Sequence, residues 1–140
     1  MVNETWDNRF LSLAQHIAQW SKDPSTKVGA VIVDQNRRIV STGYNGYPKG
    51  VRDTIVWDGR KTKYKKVIHA EKNAILFAKQ DLTNCTLYVT HHPCSQCAGY
   101  ILQAGISRVV TLSNLEFDLR HKDDQKIANG LLTCVEILVD

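Results

Sequence analysis

The chain has 140 residues, of which 23% are charged and 43% hydrophobic, and its formal net charge is +4 at pH 7. This is the composition of an ordinary water-soluble domain. The positive charge is too small and too dispersed to favour a nucleic-acid surface, and no apolar run approaches the length of a membrane span. We therefore expect a single domain over residues 1–140, a cytoplasmic location, and neither a membrane nor a nucleic-acid partner.

The first third of the chain predicts a helix and a hairpin. Apolar residues recur with helical spacing over residues 4–20, and a nearly continuous apolar run over 28–33 is typical of a strand covered on both faces. A polar turn and a second strand over 38–42 then favour a hairpin. Residues 43–66 lack periodicity, and long loops of this kind are often functional.

The rest of the chain alternates helices with strands. A helical pattern begins at His69 and continues through Ala78. The elements that we predict after it are a strand at 86–90, a helix at 94–104, a strand at 109–112, a helix at 123–131 and a strand at 135–139. Such alternation predicts an α/β protein with a layered sheet.

One pattern carries most of the chemistry. His69 and Glu71 form H-x-E, and Pro93, Cys94 and Cys97 form P-C-x-x-C. Zn²⁺ prefers four tetrahedral ligands, so one imidazole and two thiolates leave a position for water, as in catalytic zinc sites. This pattern is the signature of zinc-dependent nucleobase deaminases. The alternative interpretation is a zinc knuckle that only stabilises the fold.

The predicted local structure suits this chemistry. Pro93 favours a helix start, where backbone N–H groups stabilise the thiolates of Cys94 and Cys97. Glu71 is the only acidic residue adjacent to the predicted ligands. A carboxylate in a dry pocket beside a metal acts first as a general base and then as a general acid.

Other polar residues leave alternatives open. Cys85 and Cys134 open apolar runs and are interpreted as buried small side chains, the alternative being a disulfide or a second metal site. The basic cluster at residues 60–66 is either a solvated face or a phosphate contact. The three tryptophans are interpreted as core or interface residues rather than base-stacking groups.

The remaining histidines carry weaker signals. His91 and His92 precede Pro93, and because neighbouring side chains point apart, at most one could face the site as a fourth ligand. A surface or pocket-edge position is the preferred interpretation of both. His16 and His121 are predicted to be surface residues.

The motifs resemble a known family. HAEKNAILFA at 69–78 and PCSQCA at 93–98 resemble the cytidine deaminase superfamily, and SKDP at 21–24, Val28-Gly29-Ala30 and GYNGYPKG at 43–50 are similar to deoxycytidylate (dCMP) deaminases. The resemblance covers residues 10–115. It implies a three-layer α/β/α sandwich around a mixed, mostly five-stranded sheet.

The resemblance also implies a reaction and a set of site residues. The reaction would be hydrolysis of dCMP to dUMP and ammonia, which supplies dUMP for dTTP synthesis. His69, Cys94 and Cys97 would bind one Zn²⁺, Glu71 would shuttle the proton, and Asn45 would contact the deoxyribose 3′-hydroxyl through its amide.

The segment after the first predicted helix would lie near the substrate phosphate. In this segment, Lys22 or Lys27 offers charge, and Ser21 and Ser25 offer hydroxyl groups. The phosphate subsite is therefore expected between residues 21 and 27.

Regulation is implied by the same resemblance. Family members are commonly homo-hexamers that dCTP activates and dTTP inhibits, and Mg²⁺ could accompany the regulatory triphosphate. The regulatory site would include Gly43, Tyr44, Asn45 and Gly46. Two departures bear on this expectation: the segment at 50–68 has no cysteine for the additional structural zinc of some members, and Lys79-Gln80 stands where some relatives have an arginine.

Three other functions remain as alternatives. The enzyme could act on dCTP or 5-methyl-dCMP. It could be a tRNA adenosine deaminase, although that function needs a basic face and a pocket open to a flipped base. It could also be a non-catalytic nucleotide-binding regulator, against which the intact Glu71 argues.

Overall fold

A computed structural model describes residues 4–51, 65–132 and 135–138. The elements, in chain order, are α1 (Glu4–Ala18), β1 (Gly29–Val33), β2 (Ile39–Tyr44), α2 (Ala70–Ala78), β3 (Thr86–Val89), α3 (Ser95–Gln103), β4 (Arg108–Leu112), α4 (Leu115–Arg120), α5 (Lys122–Leu131) and β5 (Val135–Leu138). No helix in the described part of the chain is both long and apolar enough to span a membrane.

The five strands form one mixed sheet in the order β2-β1-β3-β4-β5. Strand β1 pairs antiparallel with both β2 and β3, whereas β3, β4 and β5 run parallel to one another. Every residue of β1 is buried, as the continuous apolar run predicted. The antiparallel pairing of β1 with β2 confirms the hairpin prediction, and Asp34 closes the turn by accepting hydrogen bonds from the backbone N–H groups of Asn36 and Arg38.

Helices cover both faces of the sheet, which confirms the predicted three layers. Successive residues of a strand point to opposite faces, and β1 follows this rule. On one face Val31 and Val33 pack against α1, next to Phe10 and Leu11. The opposite face packs against α2, α3 and α5, and its buried residues include Ala30, Ile32, Leu87, Val89, Ala98, Ile101, Val109 and Ala128.

Two glycines allow helices to lie directly on strands. A Cβ atom at Gly29 would overlap the carbonyl oxygen of Ala14 in α1, and one at Gly43 would overlap the carbonyl oxygen of Ala70 in α2. The second contact places the start of α2, and therefore the residues beside it, against the edge of the sheet.

Helix α4 is the element that the sequence pattern did not predict. It contains no buried residue, and Leu115 and Leu119 are largely exposed, so it lacks the apolar stripe that predicts a helix. A capping signal was nevertheless present, because the Asn114 side chain accepts a hydrogen bond from the backbone N–H of Phe117.

The other predictions have mixed outcomes. Cys85 is a buried free thiol as predicted, and Cys134 lies outside the described residues. Trp6 stacks on Phe10 beside the core, whereas the side chain of Trp20 is 53% exposed. Most of the basic cluster, residues 60–64, and the third tryptophan lie outside the described residues.

Candidate active site

The loop that enters α2 places His69 at the edge of the sheet. Gly46 and Ile68 form an isolated antiparallel bridge, with hydrogen bonds of 3.1 Å and 2.8 Å in the two directions. His69 follows immediately and is the N-cap of α2, but its side chain makes no capping hydrogen bond. The imidazole is thus directed to the thiols at the start of α3.

His69, Cys94 and Cys97 converge as a metal site requires. The Nδ1 atom of His69 lies 3.5 Å from Cys94 Sγ and 3.4 Å from Cys97 Sγ. Zn–S bonds of about 2.3 Å and Zn–N bonds of about 2.0 Å at tetrahedral angles would separate the N and S ligand atoms by about 3.5 Å. Among the residues that the structure describes, these three form the one such cluster of possible metal ligands, and their donor atoms fit Zn²⁺.

Hydrogen bonds to its sulfur favour the thiolate form of Cys94. Cys94 Sγ accepts hydrogen bonds from the Cys97 thiol, from His69 and from the backbone N–H of Cys97, and these bonds lower the pKa of Cys94. Because the Cys97 thiol gives its proton to this bond, the pKa of Cys97 is raised. A dication bound between the two sulfurs would favour the thiolate form of both.

Glu71 lies in the first turn of α2 and is buried beside the ligand cluster. Burial raises the pKa of Glu71 from its ordinary value to about 7, although the neighbouring His69 opposes the shift. A carboxyl group with a pKa near neutrality can both accept and return a proton, as general acid–base catalysis requires.

His69 and Cys94 of the cluster, together with Glu71, line one pocket of about 240 Å³. Six parts of the described chain meet there: the 23–28 segment, Asn45 after β2, the start of α2, the 91–94 segment before α3, helix α4, and the start of α5. The side chains and backbone that line the pocket belong to Asp23, Ser25, Thr26, Val28, Asn45, Val67, His69, Ala70, Glu71, His91, His92, Cys94, Phe117, Arg120, His121, Asp124 and Gln125.

Residues 4–113 match a family described as the cytidine and deoxycytidylate deaminase zinc-binding region. The chain belongs to the cytidine and deoxycytidylate deaminase family. The matched region includes the three possible metal ligands and the buried Glu71. The family resemblance that the motifs indicated is therefore confirmed.

Relatives of this deaminase-family chain share most of its length. It is 58% identical over 104 residues to an uncharacterized deaminase of Aliivibrio fischeri, covering 74% of this chain and 70% of that protein. It is 41% identical over 134 residues to the deoxycytidylate deaminase of Homo sapiens, covering 91% of this chain and 73% of that protein. The dCMP deaminase of cyanophage S-TIM5, solved in complex with dCMP and dUMP, superposes with a TM-score of 0.80 at 28% identity and covers 99% of both chains.

Asn45 lines the pocket of this deaminase-family chain, but its amide also organises the neighbouring loop. Its Oδ1 accepts from the backbone N–H of Val28 at 2.8 Å, and its Nδ2 donates to Thr26 O at 2.9 Å and Asp23 Oδ2 at 3.3 Å. Both amide hydrogens therefore have protein acceptors. The predicted contact with a 3′-hydroxyl would use the remaining lone pair of Oδ1.

The residues predicted to hold the phosphate lie in different environments. Ser25 lines the pocket, whereas Ser21 is buried and donates to the backbone oxygen of Asn45 at 2.8 Å. Lys22 and Lys27 are exposed and are not among the described residues that line the pocket. Among the residues that the structure describes, the lysine or arginine that lines the pocket is Arg120 of α4, which the sequence pattern did not single out.

Two glycines of the predicted regulatory segment, Gly43 and Gly46, have roles in the fold itself. Gly43 allows α2 to approach the sheet, and Gly46 pairs with Ile68. Tyr44 is 41% exposed and meets Trp20 edge to face, with ring centroids 6.2 Å apart. Both rings remain partly exposed to solvent, so they form an aromatic surface at β2.

The histidines around the pocket can be compared with their predicted positions. His91 and His92 both line the pocket, which agrees with the pocket-edge interpretation, although His92 is buried rather than at the surface. His121 also lines the pocket and packs against Phe117, with ring centroids 4.3 Å apart, which corrects its assignment to the surface. No described histidine other than His69 joins the ligand cluster.

Proposed function

We propose that this protein is a zinc-dependent deaminase that hydrolyses dCMP to dUMP and ammonia. The observation that carries the proposal is the convergence of His69, Cys94 and Cys97 beside a pocket that His69, Cys94 and the buried Glu71 line. When bound by these ligands, Zn²⁺ supplies Lewis acidity that lowers the pKa of a ligated water from 15.7 towards about 7.

Glu71 performs the proton transfers in the proposed reaction. As a carboxylate it accepts the proton of the attacking water. As a carboxylic acid it delivers that proton to the ring nitrogen of the cytosine while the water oxygen bonds to C4. The carboxylate then accepts the proton of the new C4 hydroxyl and delivers it to the amino group, whose bond to C4 breaks as the C4 carbonyl forms, so that dUMP and ammonia leave. The pKa near 7 supports this role, because neither the charged nor the neutral form of Glu71 is strongly favoured in the pocket.

A nucleotide substrate is supported by the pocket and by the relatives. Arg120 lines the pocket, and a guanidinium can bind a phosphate with two parallel hydrogen bonds. The human relative is named a deoxycytidylate deaminase, and the cyanophage enzyme was solved with dCMP and dUMP. The dUMP formed here would supply dTTP synthesis in the cytoplasm.

Regulation and assembly form a further part of the proposal. By family resemblance we infer a homo-hexamer that dCTP activates and dTTP inhibits, with Gly43, Tyr44, Asn45 and Gly46 at the regulatory nucleotide. Mg²⁺ would enter with the triphosphate, because this ion usually binds through phosphate oxygens. Sedimentation velocity with and without each triphosphate tests the assembly.

The substrate is tested with a panel of nucleotides. The purified zinc protein receives dCMP, dCTP, 5-methyl-dCMP, CMP, deoxycytidine or a tRNA, each with and without dCTP or dTTP as effector, and ammonia release is followed. We expect dCMP to give the highest kcat/KM. Preferential turnover of dCTP, 5-methyl-dCMP or tRNA would replace dCMP as the assigned substrate.

Replacement of Glu71 tests the mechanism. E71Q keeps the shape of the side chain but removes its titratable proton, and we expect kcat to fall by about 10²–10⁴-fold. Zinc content, measured by atomic absorption, should remain one per chain. Full turnover by E71Q would contradict the assigned proton transfers, and loss of zinc would indicate that Glu71 supports the metal instead.

A further inference from the structure

Helix α5 contacts the metal-ligand segment through the carboxylate of Asp124. The backbone N–H of Ser95 donates to Asp124 Oδ2 at 2.9 Å, and the Ser95 hydroxyl donates to Asp124 Oδ1 at 2.7 Å. One residue thus engages both carboxylate oxygens. Because Ser95 directly follows Cys94, this contact lies one peptide bond from a possible metal ligand.

The contact gives an acceptor to the backbone N–H of Ser95, which has none within α3. The first four N–H groups of a helix have no acceptor within the helix. At the start of α3, Cys94 Sγ accepts from the N–H of Cys97 at 3.4 Å, and Asp124 accepts from the N–H of Ser95. The orientation of the peptide between Cys94 and Ser95 is consequently held by a residue from another helix.

A second side chain of α5 contacts the other end of this segment. His92 is buried, its Nδ1 donates to the Pro93 oxygen at 2.9 Å, and its Nε2 lies 3.0 Å from the side-chain amide of Asn129. Asp124 and Asn129 therefore contact the chain one residue after and two residues before Cys94.

We propose that Asp124 is a positioning residue for the metal centre: by holding Ser95 from α5, it fixes the direction in which Cys94 presents its sulfur to the ion. Outer hydrogen-bond partners of metal ligands commonly change metal affinity or activity by 10–100-fold when they are replaced. This inference rests on the zinc centre of the proposed function, but it does not depend on the substrate.

Two other roles are consistent with the position of Asp124 and predict different results. A helix cap alone would change the stability of the metal-free protein and leave metal release unchanged. A substrate contact from the pocket wall would change KM and leave the metal unchanged. Metal release and thermal unfolding therefore separate the three roles.

The test compares D124N with the control D123N in the full zinc-loaded chain. Asp123 is the adjacent exposed residue of α5, so D123N makes the same change of charge without touching Ser95. Zinc transfer to a chromogenic chelator is followed, and the thiolate-to-metal absorption band of the Co²⁺-substituted protein is recorded. We expect zinc release about 10-fold faster in D124N together with a shifted Co²⁺ band, and release within twofold of the parent in D123N.

S95A is a second variant in case D124N folds poorly. It removes only the hydroxyl bond, so we expect a release rate between those of the parent and D124N. In the double variant, S95A should add little to D124N, because both changes remove the same contact.

Parent-like zinc release and Co²⁺ spectra in both single variants would overturn the proposal, as would a change confined to KM or to metal-free unfolding. Failure to turn over dCMP with altered zinc release would reject the proposed substrate but not this role of Asp124.

Discussion

At the scale of single residues, the proposed phosphate subsite depends on which basic side chains line the pocket. Basic residues close to the motif in sequence need not be the ones that do. Lys22, Lys27 and Arg120 are all exposed, but Lys22 and Lys27, which lie in the segment that resembles the family, are outside the described pocket lining. Arg120 lies far away in sequence, but α4 brings it to the pocket. Its guanidinium approaches the Phe117 ring, with Cζ 5.9 Å from the centroid, which helps to orient the side chain.

Replacing Arg120 tests its role in binding the phosphate. A hydrogen bond to a charged group contributes about 1.5–3 kcal/mol, so we expect R120A to lower kcat/KM for dCMP by about 10–100-fold, mostly through KM. Turnover of deoxycytidine, which lacks the phosphate, should change less than twofold. Steady-state kinetics with both substrates provide the measurement.

R38A is the matched control, because Arg38 is an exposed arginine of the β1–β2 hairpin and does not line the pocket. We expect R38A to leave both substrates unaffected. If K22A or K27A, rather than R120A, raised KM for dCMP selectively, the phosphate would lie where the sequence analysis placed it.

At the scale of the elements, the close approach of α2 to β2 places the ligand cluster. The contact uses Gly43, and the adjoining Gly46–Ile68 bridge leads directly into His69. A glycine in the GYNG motif can therefore be required by packing, independently of any regulatory nucleotide. Both explanations make Gly43 intolerant of larger residues, so stability must be measured separately from regulation.

G43A should destabilise the protein, because its Cβ would overlap backbone atoms of Ala70 and Ala74 that cannot move alone. Overpacking of this kind costs about 1–3 kcal/mol, which urea unfolding followed by circular dichroism would measure. G99A is the control: a Cβ at Gly99 in α3 meets nothing within 4 Å, so it should stabilise the helix by about 0.5–1 kcal/mol. Equal stability of G43A and the parent would show that α2 can shift away from the sheet.

The elements also differ in how clearly the sequence predicts them. β1 and α1 were predicted from their apolar patterns because their residues are buried in the core. α4 was not predicted, because a helix without a buried residue has no apolar stripe. Since Phe117 and Arg120 belong to α4, the pocket wall that it forms was missed with it.

At the scale of the whole molecule, the possible metal site joins parts of the chain that are distant in sequence. His69 precedes α2, while Cys94 and Cys97 lie at the start of α3. An ion held there would cross-link two helices that pack on the same face of the sheet. Metal binding is therefore coupled to folding, because the unfolded chain does not hold these ligands together.

Removal of zinc should lower both activity and stability. If free zinc exceeds the dissociation constant 1,000-fold, binding stabilises the fold by about 4 kcal/mol, which corresponds to roughly 10–15 °C in Tm for a chain of this size. Calorimetry before and after chelation measures the shift, and added Zn²⁺ should restore activity. C97A is the control, because its Tm should respond little to the chelator; an unchanged Tm in the parent would argue against a tightly bound ion.

The sequence by itself determined the family, the mixed three-layer fold, the three possible metal ligands and Glu71. The short motifs were sufficient for the ligands and Glu71 because His69 and Glu71 are two positions apart and Cys94 and Cys97 three positions apart, and the resemblance that these motifs carry implied the family and the fold. Only the tertiary structure decided which more distant groups surround them: Arg120, His121, and the contact of Asp124 with Ser95. The physical reason is that these groups approach one another through the packing of α4 and α5 beside the ligands, and such packing leaves no periodic signal in the chain.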